Sequence, residues 1–196
     1  MFERFTKDAR AVVTGAVEHC ERSGESRVED AHMLLALLDR EGSRGSFALS
    51  SLGLADQGRR ESVARGLADA RRRGGLSRAD ADALSGLGID LTEIVSRVEE
   101  AHGAGALAGG GNGSGNGSGS GGRWSGRHAF SRGARNLLTE SLRIAVAHRD
   151  RHIGDEHLLL ALTARPGVPA EVLADHGVTH DGVRRVLWGG GTARAS

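Results

Sequence analysis

Two apolar runs, each preceded by a polar step, dominate the hydropathy pattern: VEDAHMLLALL over 28–38 and IGDEHLLLALT over 153–163. Each is too short to span a membrane and suits a helix buried within a small bundle. The likeness reaches beyond the runs. At a constant offset of 125, segments 5–42 and 130–167 share 12 identities in 38 positions without a gap, namely Phe5, Ala9, Arg10, Thr14, Asp30, His32, Leu34, Leu35, Ala36, Leu37, Arg40 and Gly42. This is an internal duplication, and a duplicated unit that cannot bury its own apolar face stacks on its copy.

The pattern predicts helices throughout. Thr6 is a good N-cap for a helix to about Arg22, with Ala9, Val12, Val13, Ala16 and Val17 forming an i, i+3, i+4 stripe. Asp30 is expected to cap a helix through Arg40, with Gly42 as its stop, and a short helix should cover 46–51. The 59–73 stretch reads as an arginine-faced helix and a second helix follows Ser77. Leu91, Ile94, Val95 and Val98 then mark a helix over 89–101 that should close the first repeat. In the second repeat Ser131 caps a helix whose core positions are expected at Leu137, Leu138, Leu142, Ile144 and Val146. Asp155 caps the next one, and short helices should follow at 170–176 and 181–188. Between the halves, 103–127 centres on GGGNGSGNGSGSGG and reads as a flexible linker with a reach of roughly 25–30 Å.

Opening MFERFTKDARAVV, the HMLLALLDREG block, and FSRGARNLL with IGDEHLLLAL in the second half resemble the Clp N-terminal repeat domain, the receiving module at the front of ATP-driven unfoldases. The resemblance implies an all-α fold of two pseudo-twofold-related repeats of short helices, here joined by the long Gly/Ser linker. It divides the chain into repeat 1 at 1–102 with an inserted segment at 55–88, the linker at 103–127, repeat 2 at 128–188, and a disordered tail at 189–196. It also implies a module without catalytic activity. The phosphate-cradling loop of a motor needs G-x-x-x-x-G-K-[ST], and Lys7 is the single Lys of the chain, so the sequence reads as the receiving module standing alone.

Composition narrows the partners. A net charge of +1 gives no global field for nucleic acid or anionic lipid. One cysteine, Cys20, excludes an internal disulfide and suits a reducing cytoplasm, and the charged amino terminus is unlike a secretion signal. Neither cofactor nor membrane partner is expected. HIGDEH at 152–157 places two His five apart across a Gly-Asp break, which is poor zinc-ligand spacing, so His32 and His157 read as partners for backbone groups at helix starts. Arg59, Arg60, Arg65, Arg71, Arg72 and Arg73 could meet phosphates, giving an arginine-helix nucleic-acid binder as one alternative. Interruption by Glu61 and Asp69 favours a solvated face instead.

Two further sites come from the resemblance. Some Clp N-terminal repeats bind proteins phosphorylated on arginine, and that pocket maps onto Ser131 with Glu156 in the second repeat. In the first repeat it maps onto Thr6, with Ala31 where an acid should stand. The groove that receives cyclic peptide antibiotics in the family maps onto Phe2, Arg10, Val13, Phe130 and Arg135, with Thr139 where an acid is common. The expected function is therefore a non-catalytic interaction module of the Clp protease system. It would bind substrate proteins, adaptors or an unfoldase, with sequestration of cyclic peptides as the other alternative.

Overall fold

The computed structural model describes residues 2–103 and 129–189, with the backbone alone at Phe2. The expected linker beyond Gly103 and the expected tail beyond Gly189 lie outside the described residues. The fold is all-α. A 3-10 turn at Phe2–Arg4 leads into α1 (Lys7–Arg22), then β1 (Arg27–Val28), α2 (Asp30–Leu38), α3 (Arg44–Leu49) and a π-turn at Ser50–Leu54. Next come α4 (Gln57–Arg72), α5 (Arg78–Gly86) and α6 (Leu91–His102). The second repeat comprises β2 (Ala129–Phe130), α7 (Arg132–Ala147), α8 (Asp155–Ala164), α9 (Val168–Asp175) and α10 (His180–Trp188).

The duplication is visible in how the halves are joined. Phe5 forms a parallel backbone bridge with Ile153, and β1 pairs in parallel with β2 so that Val28 faces Phe130. At the offset of 125 these are one contact made twice, because Phe5 corresponds to Phe130 and Val28 to Ile153. The flanking hydrogen bonds repeat as well: the Thr6 amide donates to the Ile153 carbonyl and the Ser131 amide to the Val28 carbonyl, both at 2.9 Å. Each half thus ties the start of its first helix to the segment before the partner's Leu-rich helix. One apolar cluster runs through both, joining Leu34 and Leu37 of α2 to Leu137 of α7 and Leu158, Leu159 and Leu160 of α8.

Most helix starts obey simple capping chemistry. The Thr6 and Ser131 hydroxyls accept the amides of Ala9 and Ala134 at 3.1 Å each. For α2 and α8 the expected Asp caps are corrected: Glu29 and Gly154 occupy the cap positions, and Asp30 and Asp155 are the first helical residues. The third residue of each helix supplies the missing acceptor. The Nδ1 atoms of His32 and His157 accept the amides of Glu29 and Gly154 at 2.9 Å, the reciprocal half of a capping box. Each buried ring then carries its proton on Nε2, which faces Glu25 Oε1 at 3.2 Å in the first repeat and Asp150 Oδ2 at 3.0 Å in the second. The expected roles of both His at helix starts are what the geometry shows.

Freed from capping its own helix, the Asp155 carboxylate turns to another. It accepts from the Ser43 hydroxyl and, at 3.0 Å, from the Gly45 amide at the start of α3. Helix α3 accordingly begins at Arg44, earlier than expected, with Ser43 as its cap.

Two packing expectations fail. Val146 is 61% exposed, and the buried face of α7 runs through Ala134, Leu137, Ser141 and Ala145. Valine at 146 simply falls one position off that i, i+3, i+4 row. Helix α6 buries no residue, and Ile94 is 43% exposed. The helix that packs on the first-repeat core is α4, through Val63 and Leu67, both in the shared apolar cluster.

Asp155 is 2% exposed, so removing its carboxylate strands buried donors. Asp155→Ala should cost about 2–6 kcal/mol, from roughly 1–3 kcal/mol for each of the two unsatisfied donors, read as the shift in a urea unfolding transition. A loss below about 0.5 kcal/mol would contradict the inter-repeat capping described here.

Candidate functional site

Each repeat builds a pocket at the start of its Leu-rich helix, and the crossed joining of the halves decides what lines it. Because Thr6 is hydrogen-bonded to Ile153, the start of α1 lies beside the start of α8. Thr6, Asp8, Arg44, Asp150, Arg151, His152, Asp155 and Glu156 line one polar pocket of about 250 Å³. Sequence reasoning paired Glu156 with Ser131 of its own repeat and Thr6 with Ala31. The structure instead brings Thr6 and Glu156 together, and this correction follows directly from the exchange of strands across the pseudo-twofold axis. Ser131 and Ala31 do not line this pocket.

The Glu156 carboxylate is nearly buried and already engaged. Arg44 reaches over from α3 and bonds Oε1 at 2.9 Å. Its guanidinium also lies 5.8 Å from the ring centre of Trp188, which stacks on His148 at 4.2 Å. Burial pushes the Glu156 carboxyl above the ordinary carboxylate range, with Arg44 opposing the shift. A Cβ at Gly154 would overlap the folded-back Glu156 carboxylate, so a larger residue there would force that side chain to move. Chemically the pocket holds a guanidinium between a carboxylate and an aromatic face, and its present occupant is the chain's own Arg44.

The groove expected from Phe2, Arg10, Val13, Phe130 and Arg135 is distributed differently. Val13 is 1% exposed and belongs to the core, so it offers nothing to a ligand. Phe130 is half-buried in the β1–β2 pairing, Arg10 and Arg135 are exposed, and the side chain of Phe2 lies outside the described residues. An open groove of about 340 Å³ does exist at the corresponding place in the other repeat. Phe5, Leu138, Thr139, Leu142 and Ile153 line it, with Glu3 and Arg4 at its edge. Leu138 corresponds to Val13 and Phe5 to Phe130, so duplication supplied the right positions in the wrong copy.

The arginine-faced helix is α4, and most of its guanidiniums have protein partners. Arg59 donates to the Gly53 carbonyl, while Arg60 donates to the Leu54 and Leu38 carbonyls. Arg71 pairs with Glu25, and Arg72 with Asp69. These bonds fasten the helix down. Cys20 is buried with its thiol donating to the Glu25 carbonyl at 3.3 Å, and burial pushes its pKa up, away from thiolate chemistry. Among the described residues no cluster of His, Cys, Asp and Glu could hold a metal, and no helix is long and apolar enough to cross a membrane.

With the geometry in view, the family model of the Clp repeat (R) N-terminal domain matches residues 129–190. The match supports a Clp N-terminal repeat over those residues, about a third of the chain. The first half carries the matching bridge, the 12 shared identities and four helices in the same order, followed by α5 and α6, which have no counterpart in the second half. Among solved structures, the N-terminal domain of the caseinolytic protease associated chaperone ClpD from Arabidopsis thaliana aligns over 95% of this chain and 94% of its own, at 16% identity and a TM-score of 0.49. Clp N-terminal repeats are non-catalytic protein-interaction modules of Clp chaperones.

The capping histidines make stability depend on pH. Burial lowers the pKa of both His32 and His157. The unfolded chain therefore takes up these protons first, near pH 6.5, and stability falls as pH drops through that value. The raised Glu156 carboxyl acts in the opposite sense further down. His157→Asn, which keeps an acceptor near Nδ1 but does not titrate, should flatten the decline in unfolding free energy between pH 7.5 and 5.5. An unchanged slope would contradict the assignment.

Proposed function

We propose that this chain is an accessory receptor of the Clp proteolytic system. It takes up substrate or adaptor segments as the N-terminal domain of an unfoldase does, and it acts in the cytoplasm. The single observation that carries the reading is the half-open groove between Phe5 and Ile153 on one side and Leu138 and Leu142 on the other, formed only because the two repeats are docked. A surface of that size, largely apolar with charges at the rim, suits short segments of other proteins.

The guanidinium pocket supports a finer version, in which arginine side chains, phosphorylated or not, are recognised at Glu156 with Thr6 alongside. Arg44 must then leave the carboxylate before a ligand enters. The apolar groove supports one further reading, sequestration of cyclic peptides aimed at the unfoldase.

The decisive experiment is competition. Added to a purified Clp unfoldase and its peptidase, the full chain should slow degradation of a substrate that depends on the unfoldase's N-terminal domain, and should leave an unfoldase lacking that domain unaffected. Leu142→Asp should weaken the effect by about tenfold, roughly 1.4 kcal/mol. Equal inhibition of both unfoldases, or none of either, defeats the proposal. Calorimetry with a cyclic peptide separates the alternative, which requires binding heat that Leu142→Asp removes.

A further inference from the structure

The duplication places a second pocket where the pseudo-twofold axis carries the Glu156 site, and its chemistry has been exchanged. It lies at the start of α2 and measures about 290 Å³. Three replacements account for the difference. Ala31 stands where the second repeat has Glu156, so the floor carries no carboxylate. Val168 and Pro169 of α9 stand where α3 presents Ser43 and Arg44, so the lid has neither a hydroxyl nor a guanidinium. Finally, α4 runs 16 residues where α10 runs nine, and its last turns bring Leu67 and Ala68 against the opening. Together with Leu35 these side chains make an apolar chamber.

Its mouth is anionic. Glu29 stands where the second repeat has Gly154, which moves the acid from inside the pocket to its rim, next to Asp30. The counterpart of Asp30, Asp155, is consumed by the Ser43 hydroxyl and the Gly45 amide. Asp30 lines the pocket with Val168 and Pro169, accepts from the neighbouring Ala31 amide at 3.0 Å, and has its other carboxylate oxygen close to Gly133 at the start of α7. Among the described residues no cation is ion-paired to Glu29 or Asp30. Arg71 also lines the pocket, but its charge is matched by Glu25. Burial, with the charge of Asp30 adding to it and His32 opposing, holds the Glu29 carboxyl above its ordinary range.

We propose that this second pocket binds a peptide segment that presents an apolar side chain flanked by basic residues, the apolar group entering the chamber and the cations meeting Glu29 and Asp30. The volume suits one or two side chains and falls below that of a whole drug-sized ligand. A like-charged acidic segment is rejected at the rim, so the two repeats offer partners two different sockets: one for a guanidinium and one for an apolar residue in a basic context. The inference deepens the receptor reading by naming the segment chemistry, and it uses residues separate from both the Glu156 pocket and the Leu142 groove.

The test is fluorescence anisotropy on the full chain with a labelled Gly/Ser nonapeptide holding Arg-Leu-Arg at its centre. Comparison peptides replace Leu with Gly or both Arg with Glu. The Arg-Leu-Arg peptide should bind at least tenfold tighter than either. Ala68→Phe, which fills the opening from an exposed position on α4, should abolish the difference. The paired change Glu29→Gln with Asp30→Asn should erase the preference over the Glu peptide while leaving the Leu requirement, and it serves if Ala68→Phe folds poorly by circular dichroism. Equal affinity for all three peptides, or an unchanged Leu requirement in a folded Ala68→Phe, overturns the inference while the receptor reading survives. Peptide binding as described, with no competition against an unfoldase, defeats the receptor reading alone. Self-association relieved by Ala68→Phe would assign the pocket to a second copy and overturn it too.

Discussion

Everything distinctive about this molecule depends on one backbone exchange. The start of each first helix is hydrogen-bonded to the strand segment preceding the other repeat's Leu-rich helix, through Phe5 with Ile153 and Val28 with Phe130. Four short hydrogen-bonding residues cannot hold two domains together by themselves, since each such bond contributes about 0.5–1.5 kcal/mol net. Their effect is to set the register. Once it is set, α2, α7 and α8 bury their leucines in one cluster, and burial supplies the stability that a lone repeat of this size lacks. The same register carries residues of one half into the pocket of the other, so each of the three pockets described above is lined by both repeats.

Buried polar groups then make the arrangement specific. His32 and His157 cap helix starts from the inside, Asp155 caps α3 from the other repeat, and Arg44 returns across the same boundary to Glu156. A partly satisfied network of this kind is worse than an apolar one, because each stranded group pays its full desolvation cost. Any slip between the halves breaks several of these bonds at once. Where the copies differ, the differences are paired: the first pocket lacks both the acid, with Ala31 at the position of Glu156, and the arginine, with Pro169 at the position of Arg44.

Much of the fold was legible in the sequence because its signals are local or repetitive. Thr6 and Ser131 announced their helices through hydroxyl capping, and the constant offset of 125 announced the pseudo-symmetry. What escaped was non-local. Nothing near Thr6 in the chain says that its pocket partner is Glu156, since the pairing arises from strand exchange. Asp155 looked like a cap for α8 and caps α3, because His157 had taken its place. The amphipathic stripe of α6 looked like a core face, but α4, disguised by its arginines, packs there: Arg59 and Arg60 spend their charge on carbonyls at the helix's edge while Val63 and Leu67 turn inward. The self-occupied state of the guanidinium pocket had one sequence signal, the Arg44 and Pro169 difference between copies, which gains meaning only once α3 is known to cover α8.

The most direct test of this account is amide hydrogen exchange at Thr6 and Ser131 followed by nuclear magnetic resonance. Both amides lie near helix starts, where exchange is ordinarily fast, and both donate across the repeat boundary. If the crossed register organises the fold, they exchange as slowly as the core amides of α2 and α8 and are released only by global unfolding. Exchange at the rate of an exposed loop, with α2 and α8 still protected, would show the repeats folding without the crossed contact and would contradict the account.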